Sequence, residues 1–237
     1  MNIVFCGKGG VGKSTISSIY AMEFSKDKKT LIISIDQDHS LSIIFNKEIG
    51  NEIKEIKKNL YAIELDAQKI ANNYINEVLE NLESILNKKA FESVKNYSKF
   101  LLNSNIALNT AIIYGIYKIP KDFDIIIIDT PPSHQFISFL TTLFNLPKNL
   151  EIILKIYENW KNILENWADK NLKNYESLKQ KHEIALNVQN FFKNSYYYII
   201  INPQKVVIEI SYKLEEFLKS YKLNIKGIIL NKFKHIL

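Results

Sequence analysis

Arginine is absent from all 237 residues, and cysteine occurs only once. The formal net charge of +6 is therefore carried wholly by lysine, and no step can depend on a guanidinium from this chain. The lysines spread along every segment without forming a block, so a nucleic-acid surface is poorly supported. The lone Cys6 excludes an intramolecular disulfide and a cysteine-cluster metal site within one chain. At the end of an apolar run it reads as a small buried residue. No apolar run approaches the roughly 20 residues that cross a bilayer. Met1-Asn2-Ile3-Val4-Phe5 carries no basic stretch and leads straight into glycines, which fits a first core strand better than a signal peptide. The expectation is a cytoplasmic protein. Its length suits one α/β domain with insertions and a substantial core.

What is present is a series of short β-branched runs of the kind found in strands covered on both faces. They fall at Ile3 to Cys6, Thr30 to Ile35, Leu60 to Leu65, Phe123 to Ile128, Tyr196 to Ile201 and Ile225 to Leu230. Helical patterns separate them, so the expected fold class is α/β, a mostly parallel sheet flanked by helices. Two intervening stretches are too long for simple crossovers. The first carries Ile70, Tyr74, Val78, Leu82, Ile85 and Leu86 at helical spacing. The second carries Phe144, Leu150, Ile153, Leu154, Tyr157, Trp160, Ile163, Leu164 and Trp167, with Pro147 expected to punctuate it. The expected division is a core of residues 1–66, 120–140 and 195–237, with a helical insert subdomain of 67–119 and 141–194.

After the first run stands Gly7-Lys8-Gly9-Gly10-Val11-Gly12-Lys13-Ser14-Thr15, leading into a helical pattern. Strand, glycine-rich loop, Lys-Ser-Thr and helix form the P-loop in the context it requires. Its backbone N–H groups and the helix N-terminus cradle the phosphates of ATP. Lys13 reaches the β- and γ-phosphates, and the Ser14 hydroxyl ligates Mg²⁺. Asp129 closes a run of four isoleucines and precedes Thr130-Pro131-Pro132-Ser133. A carboxylate at the end of a central strand lies beside the P-loop and can hold Mg²⁺ through water.

Lys8 makes the loop more specific. Sequences of the form GKGGVGKST resemble the deviant-Walker (SIMIBI) P-loop ATPases. That family includes the partition ATPases, the nitrogenase iron protein, and the arsenite-pump and tail-anchored-protein targeting ATPases. The resemblance implies a homodimer in which Lys8 reaches the partner's phosphates, a role no arginine finger of this chain can fill.

The segment Ile35-Asp36-Gln37-Asp38-His39-Ser40-Leu41-Ser42 narrows the resemblance to the arsenite-pump and tail-anchored-protein targeting branch, in a short form. It implies that Asp36 positions the attacking water and lies by the metal, and that His39 is the switch histidine. Asp38 stands where an alanine is usual, so it competes with Asp36, which is favoured by its register after the strand. Leu60-Tyr61-Ala62-Ile63-Glu64-Leu65-Asp66 is similar to the branch's strand leading into the insert. Asn202-Pro203-Gln204-Lys205 and Gly227 to Lys232 resemble its nucleoside-binding half. The resemblance assigns Asn231 to adenine and places Glu209 near a glutamate that contacts nucleotide across the dimer, one residue out of register.

Departures are equally specific. Ser133-His134-Gln135-Phe136 replaces the branch's usual Thr-Gly-His-Thr, and Pro131-Pro132-Ser133 is closer to the partition ATPases. The Cys-x-x-Cys zinc pair between subunits is missing, so no zinc is expected. Relatives also continue beyond the position of Leu237. The implied function is an Mg²⁺-dependent ATP switch that holds an apolar client segment in its insert. Phe136, Phe139, Phe144, Trp160 and Trp167 offer either the client surface or simply the subdomain core. The alternative is a partition or positioning ATPase acting on DNA or a membrane surface. A nitrogenase-iron-protein-like role would need an interface cysteine, and Cys6 sits in the first strand instead.

Overall fold

The computed structural model describes residues 1–38, 40–83, 87–102, 104–163 and 168–232, with side-chain placements apart from 77–78, 81–83, 99–101, 160–163 and 168–174. His39, Ile85, Leu86, Leu164 and Trp167 lie outside the described residues, as do the side chains of Val78, Leu82, Trp160 and Ile163.

The strands β1 (Asn2–Gly7), β2 (Thr30–Ser34), β3 (Lys54–Lys57), β4 (Leu60–Glu64), β5 (Ile125–Asp129), β6 (Tyr196–Ile201) and β7 (Asn224–Leu230) form one seven-stranded sheet. Its order is β3-β4-β2-β5-β1-β6-β7, parallel throughout except where β3 pairs antiparallel with β4. The α/β class is as the sequence indicates, with one strand more. Lys54-Glu55-Ile56-Lys57 carries charge at three of its four positions, so it lacks the apolar run that marks the buried strands, and it lies on the edge. In the middle of the sheet every residue of β2 is buried, because helices cover both faces.

Helices α1 (Lys13–Phe24), α2 (Ser40–Ile44), α3 (Ala67–Glu83), α4 (Lys88–Leu102), α5 (Asn105–Tyr117), α6 (Ser133–Ile163), α7 (Ala168–Lys193) and α8 (Lys205–Ser220) complete the elements of the described residues. Pro147 does not end its segment, contrary to the expectation from the sequence; α6 runs through it. Proline removes one backbone donor from a helix interior. One turn earlier, the buried Gln189 of α7 donates from Nε2 to the Phe144 carbonyl at 3.3 Å, so tertiary contact supports the backbone there. The boundary placed between 140 and 141 thus falls inside a helix. Helices α3, α5, α6 and α7 pack together, and their apolar faces share a core with the sheet: Ile113, Phe136, Leu140, Val188 and Phe192 cluster with Val4, Leu31, Ile33 and Ile128.

The sheet register matters most for the site. Asp129 lies beside Phe5 of β1 on one side and Ser34 of β2 on the other, and Ser34 in turn lies beside Glu64 of β4. Four strands therefore bring their last residues, and the loops that follow, to one end of the sheet.

Candidate nucleotide site

Gly7 to Gly12 turn from β1 into α1 at that carboxyl end. A Cβ on Gly7 would come within 2.3 Å of the Ile200 carbonyl oxygen, so only glycine lets β1 leave the sheet beside β6. Gly12 caps α1 with φ +93°, a left-handed conformation that side chains disfavour. No side chain caps α1 and no acidic residue lies in its first turn. The first-turn N–H groups therefore remain available to an anion, with the helix dipole behind them.

Lys13 opens α1 and is only 5% exposed; Asp36 (7%) and Asp129 (0%) are buried beside it. Burial raises the Asp36 pKa above the ordinary carboxylate value, with the Lys13 ammonium opposing and Asp38 adding to the rise. The Asp36 amide donates to Ser34 Oγ at 3.3 Å. Burial pushes Asp129 up to about 7, against the pull of the Ser14 hydroxyl and the Lys13 charge. Neither oxygen of Asp129 has a hydrogen bond of sound geometry, for the nearby Ser17 hydroxyl is turned to the Ser14 carbonyl at 3.0 Å. An orphaned buried carboxylate is costly. With Asp36 and the Ser14 hydroxyl beside it, this is an oxygen donor set that fits Mg²⁺. That ion keeps much of its water and takes one or two protein carboxylates plus substrate phosphates. Among the described residues no cluster of three or more His, Cys, Asp or Glu could cage a metal without substrate.

The remaining sequence-singled residues fall at different distances from this centre. Lys8 is half-exposed at the loop's rim and Thr15 is exposed on α1. Pro132 sits against the backbone of Gly9, 3.6 Å from where its Cβ would be, and Thr130 Oγ1 donates to the Phe5 carbonyl at 2.9 Å. The segment after Asp129 is thus pinned to the P-loop. Asn231 also reaches it: Nδ2 donates to the Val11 carbonyl at 2.8 Å, and Oδ1 accepts from the Lys232 amide. Glu209 is exposed on α8. The sequence placed Lys232 and Asn202 only within the segments that resemble a nucleoside-binding half, with no role for either; the Lys232 ammonium donates to the Gly10 carbonyl at 2.8 Å, and the buried Asn202 has an Oδ1 without a partner. The stacked Phe136 and Phe139 are buried, and Phe144 stacks on Tyr221 at 4.5 Å, so these three belong to the core.

A strand–P-loop–helix unit with two buried carboxylates at the carboxyl edge of a parallel sheet defines a P-loop nucleoside-triphosphatase. The anion-transporting ATPase (ArsA ATPase) family model matches residues 1–235. A protein of Aquifex aeolicus named as arsenical pump-driving ATPase 2 is 30% identical over 96% of this chain and 78% of its own length. ATPase ASNA1 homolog 1 of Paramecium tetraurelia is 26% identical over 95% of this chain and 73% of its own. The ASNA1 homolog of Plasmodium falciparum is 29% identical over 98% of this chain and 62% of its own. The chain belongs to the ArsA-type ATPase family, and part of each of these relatives lies outside the match.

Proposed function

We propose that this ATPase works as an Mg²⁺-dependent homodimeric switch in the cytosol that holds an apolar segment of a client protein against its helical insert. The observation that carries the hydrolytic half is the buried trio of Lys13, Asp36 and Asp129 at the mouth of the P-loop. The loop N–H groups and Lys13 bind and orient the β- and γ-phosphates of ATP. Ser14, Asp129 and Asp36 would hold Mg²⁺, which would supply positive charge against the phosphate oxygens. Asp36 accepts a hydrogen bond from the attacking water and aims its oxygen at the γ-phosphorus. The water oxygen forms the new P–O bond as the bond to the β-γ bridging oxygen breaks, giving ADP and phosphate. Lys8 of one subunit supplies positive charge to the other's phosphates, Asn231 borders the adenine, and Glu209 lies toward the dimer partner.

The client half is supported by an apolar cavity of about 370 Å³ among the insert helices, walled by Ile70, Tyr74, Ala111, Leu146, Leu150 and Ile184. Such a cavity suits a hydrophobic side chain or short segment. None of the helices among the described residues is long and apolar enough to cross a membrane. The test is in-cell crosslinking of an Asp36→Asn form that binds ATP without turning it over. Enrichment of proteins with long apolar segments supports the reading. Nucleotide-dependent pelleting with DNA or liposomes, with no such enrichment, would replace it by the partition-type alternative.

A further inference from the structure

Glu64 ends β4, in the same row of the sheet as Ser34 and Asp129. It is only 1% exposed, yet nothing in the phosphate chemistry above uses it. Its carboxylate faces the switch segment instead: Oε1 accepts from the Ser42 amide at 3.0 Å and Oε2 from the Ser42 hydroxyl at 2.5 Å. The Ser42 oxygen accepts in turn from the Ile49 amide at 3.1 Å. Ser42 lies in α2, which begins two residues after Asp38. A buried carboxylate accepting two hydrogen bonds from one residue fixes that residue closely.

The same carboxylate lies at the root of the insert. The Leu65 amide donates to the Ser34 carbonyl at 2.9 Å, and the Glu64 amide to the Gly50 carbonyl at 2.9 Å. Next in the chain, the Asp66 amide donates to Asn51 Oδ1 at 2.7 Å, while Asp66 Oδ1 accepts from the Lys69 amide at 2.9 Å in the first turn of α3. On the insert side of the 48–54 loop lies a cavity of about 610 Å³, walled also by Ile70, Tyr74 and Tyr114.

We infer that Glu64 is a positioning residue that locks the Asp36-to-Ser42 segment in its hydrolytic placement and ties that segment to helix α3 of the insert. A change of the segment between nucleotide states must either carry Ser42 with Glu64 or break two charge-assisted hydrogen bonds. Through β4 and Asp66 that choice reaches α3. The inference rests on the proposed role of Asp36 in orienting water, which the Asp36→Asn variant tests separately.

The experiment uses the full chain with Glu64→Gln, Ser42→Ala and the double variant. Steady-state hydrolysis, ADP affinity by calorimetry, and amide exchange of Ala67 to Ile75 with and without a non-hydrolysable ATP analogue are measured. Both single variants should lose about tenfold in kcat, the worth of one charge-assisted hydrogen bond. ADP affinity should stay within about twofold, and the double variant should be no worse than the worse single one, because the pair acts as a unit. In the wild type α3 exchange should change with nucleotide, and in the variants that response should shrink. Hydrolysis that is unchanged in either single variant, ADP affinity that falls in step with kcat, or additive losses overturn the positioning role. An α3 that ignores nucleotide in the wild type, or responds equally in the variants, overturns the tie to the insert. If Asp36→Asn also hydrolyses ATP normally, the fault lies with the assigned water and not with Glu64.

Discussion

Replacing Asp129 by Asn should stabilise the metal-free protein at alkaline pH while harming its activity. Asp129 is held at about 7 in the fold against 3.8 for an ordinary aspartate. The folded state therefore keeps a proton that the unfolded state has released throughout that window, so stability falls as pH rises from 3.8 to 7. The slope from this one group is about 1.4 kcal/mol per pH unit, and above 7 the accumulated loss levels off at roughly 4 kcal/mol. An asparagine carries no charge but keeps a desolvated amide, which costs about 1–3 kcal/mol. The variant should thus exceed the wild type by about 1–3 kcal/mol at pH 8, and the order should reverse near pH 4, where the wild-type carboxyl is protonated in both states and only the amide cost remains. Urea unfolding with chelator and without nucleotide, run on both proteins from pH 4 to 8, measures the difference and cancels other titrating groups. A difference that does not change with pH, or a variant weaker than the wild type at pH 8, would refute the assignment of Asp129 as the buried, unpaired charge of the site.

Lys13→Ala should abolish ATP binding in calorimetry, since the buried ammonium is the charge nearest both carboxylates and phosphate; full activity in that variant would end the P-loop assignment. Gly12→Ala places a Cβ 2.5 Å from Asn231 Nδ2 at φ +93°. Left-handed strain of about 1–2 kcal/mol and a lost hydrogen bond of about 1 kcal/mol predict an unfolding free energy lower by roughly 2–3 kcal/mol. Lys8→Ala should weaken ATP-dependent dimerisation and hydrolysis while leaving nucleotide affinity of the monomer nearly intact. Mixing Lys8→Ala with Asp36→Asn subunits creates one site with Asp36 intact and Lys8 donated by the partner, so part of the turnover should return; heterodimers with no activity would mean that Lys8 does not act in trans.

The parts legible in the sequence were those whose physics is local. Glycine spacing before Lys13-Ser14 marks a phosphate loop because backbone conformation depends on neighbouring residues alone. Four isoleucines before Asp129 mark a strand buried on both faces, and that carboxylate duly falls beside the loop. The polar edge strand β3 hid because its charges give no apolar run. Pro147 misled because its helix is held by packing rather than by propensity, with Gln189 of another helix donating one turn back. The Glu64–Ser42 pair spans 22 positions and depends on the register of β4 beside β2. The contacts of Asn231 and Lys232 span more than 200 residues, a separation at which no pattern in the chain announces a partner.

Those last contacts also bear on when the protein becomes competent. Two carbonyl groups of the P-loop are held by residues made some 220 positions after it. Asn231 and Lys232 arrive directly after β7, the last strand among the described residues, whose pairing with β6 sets the flank of the loop. During synthesis the phosphate loop must therefore wait, unbraced, until those residues are made, because a domain generally folds as a unit. Nucleotide captured in the braced cradle would thus report that β7 has joined the sheet beside β6.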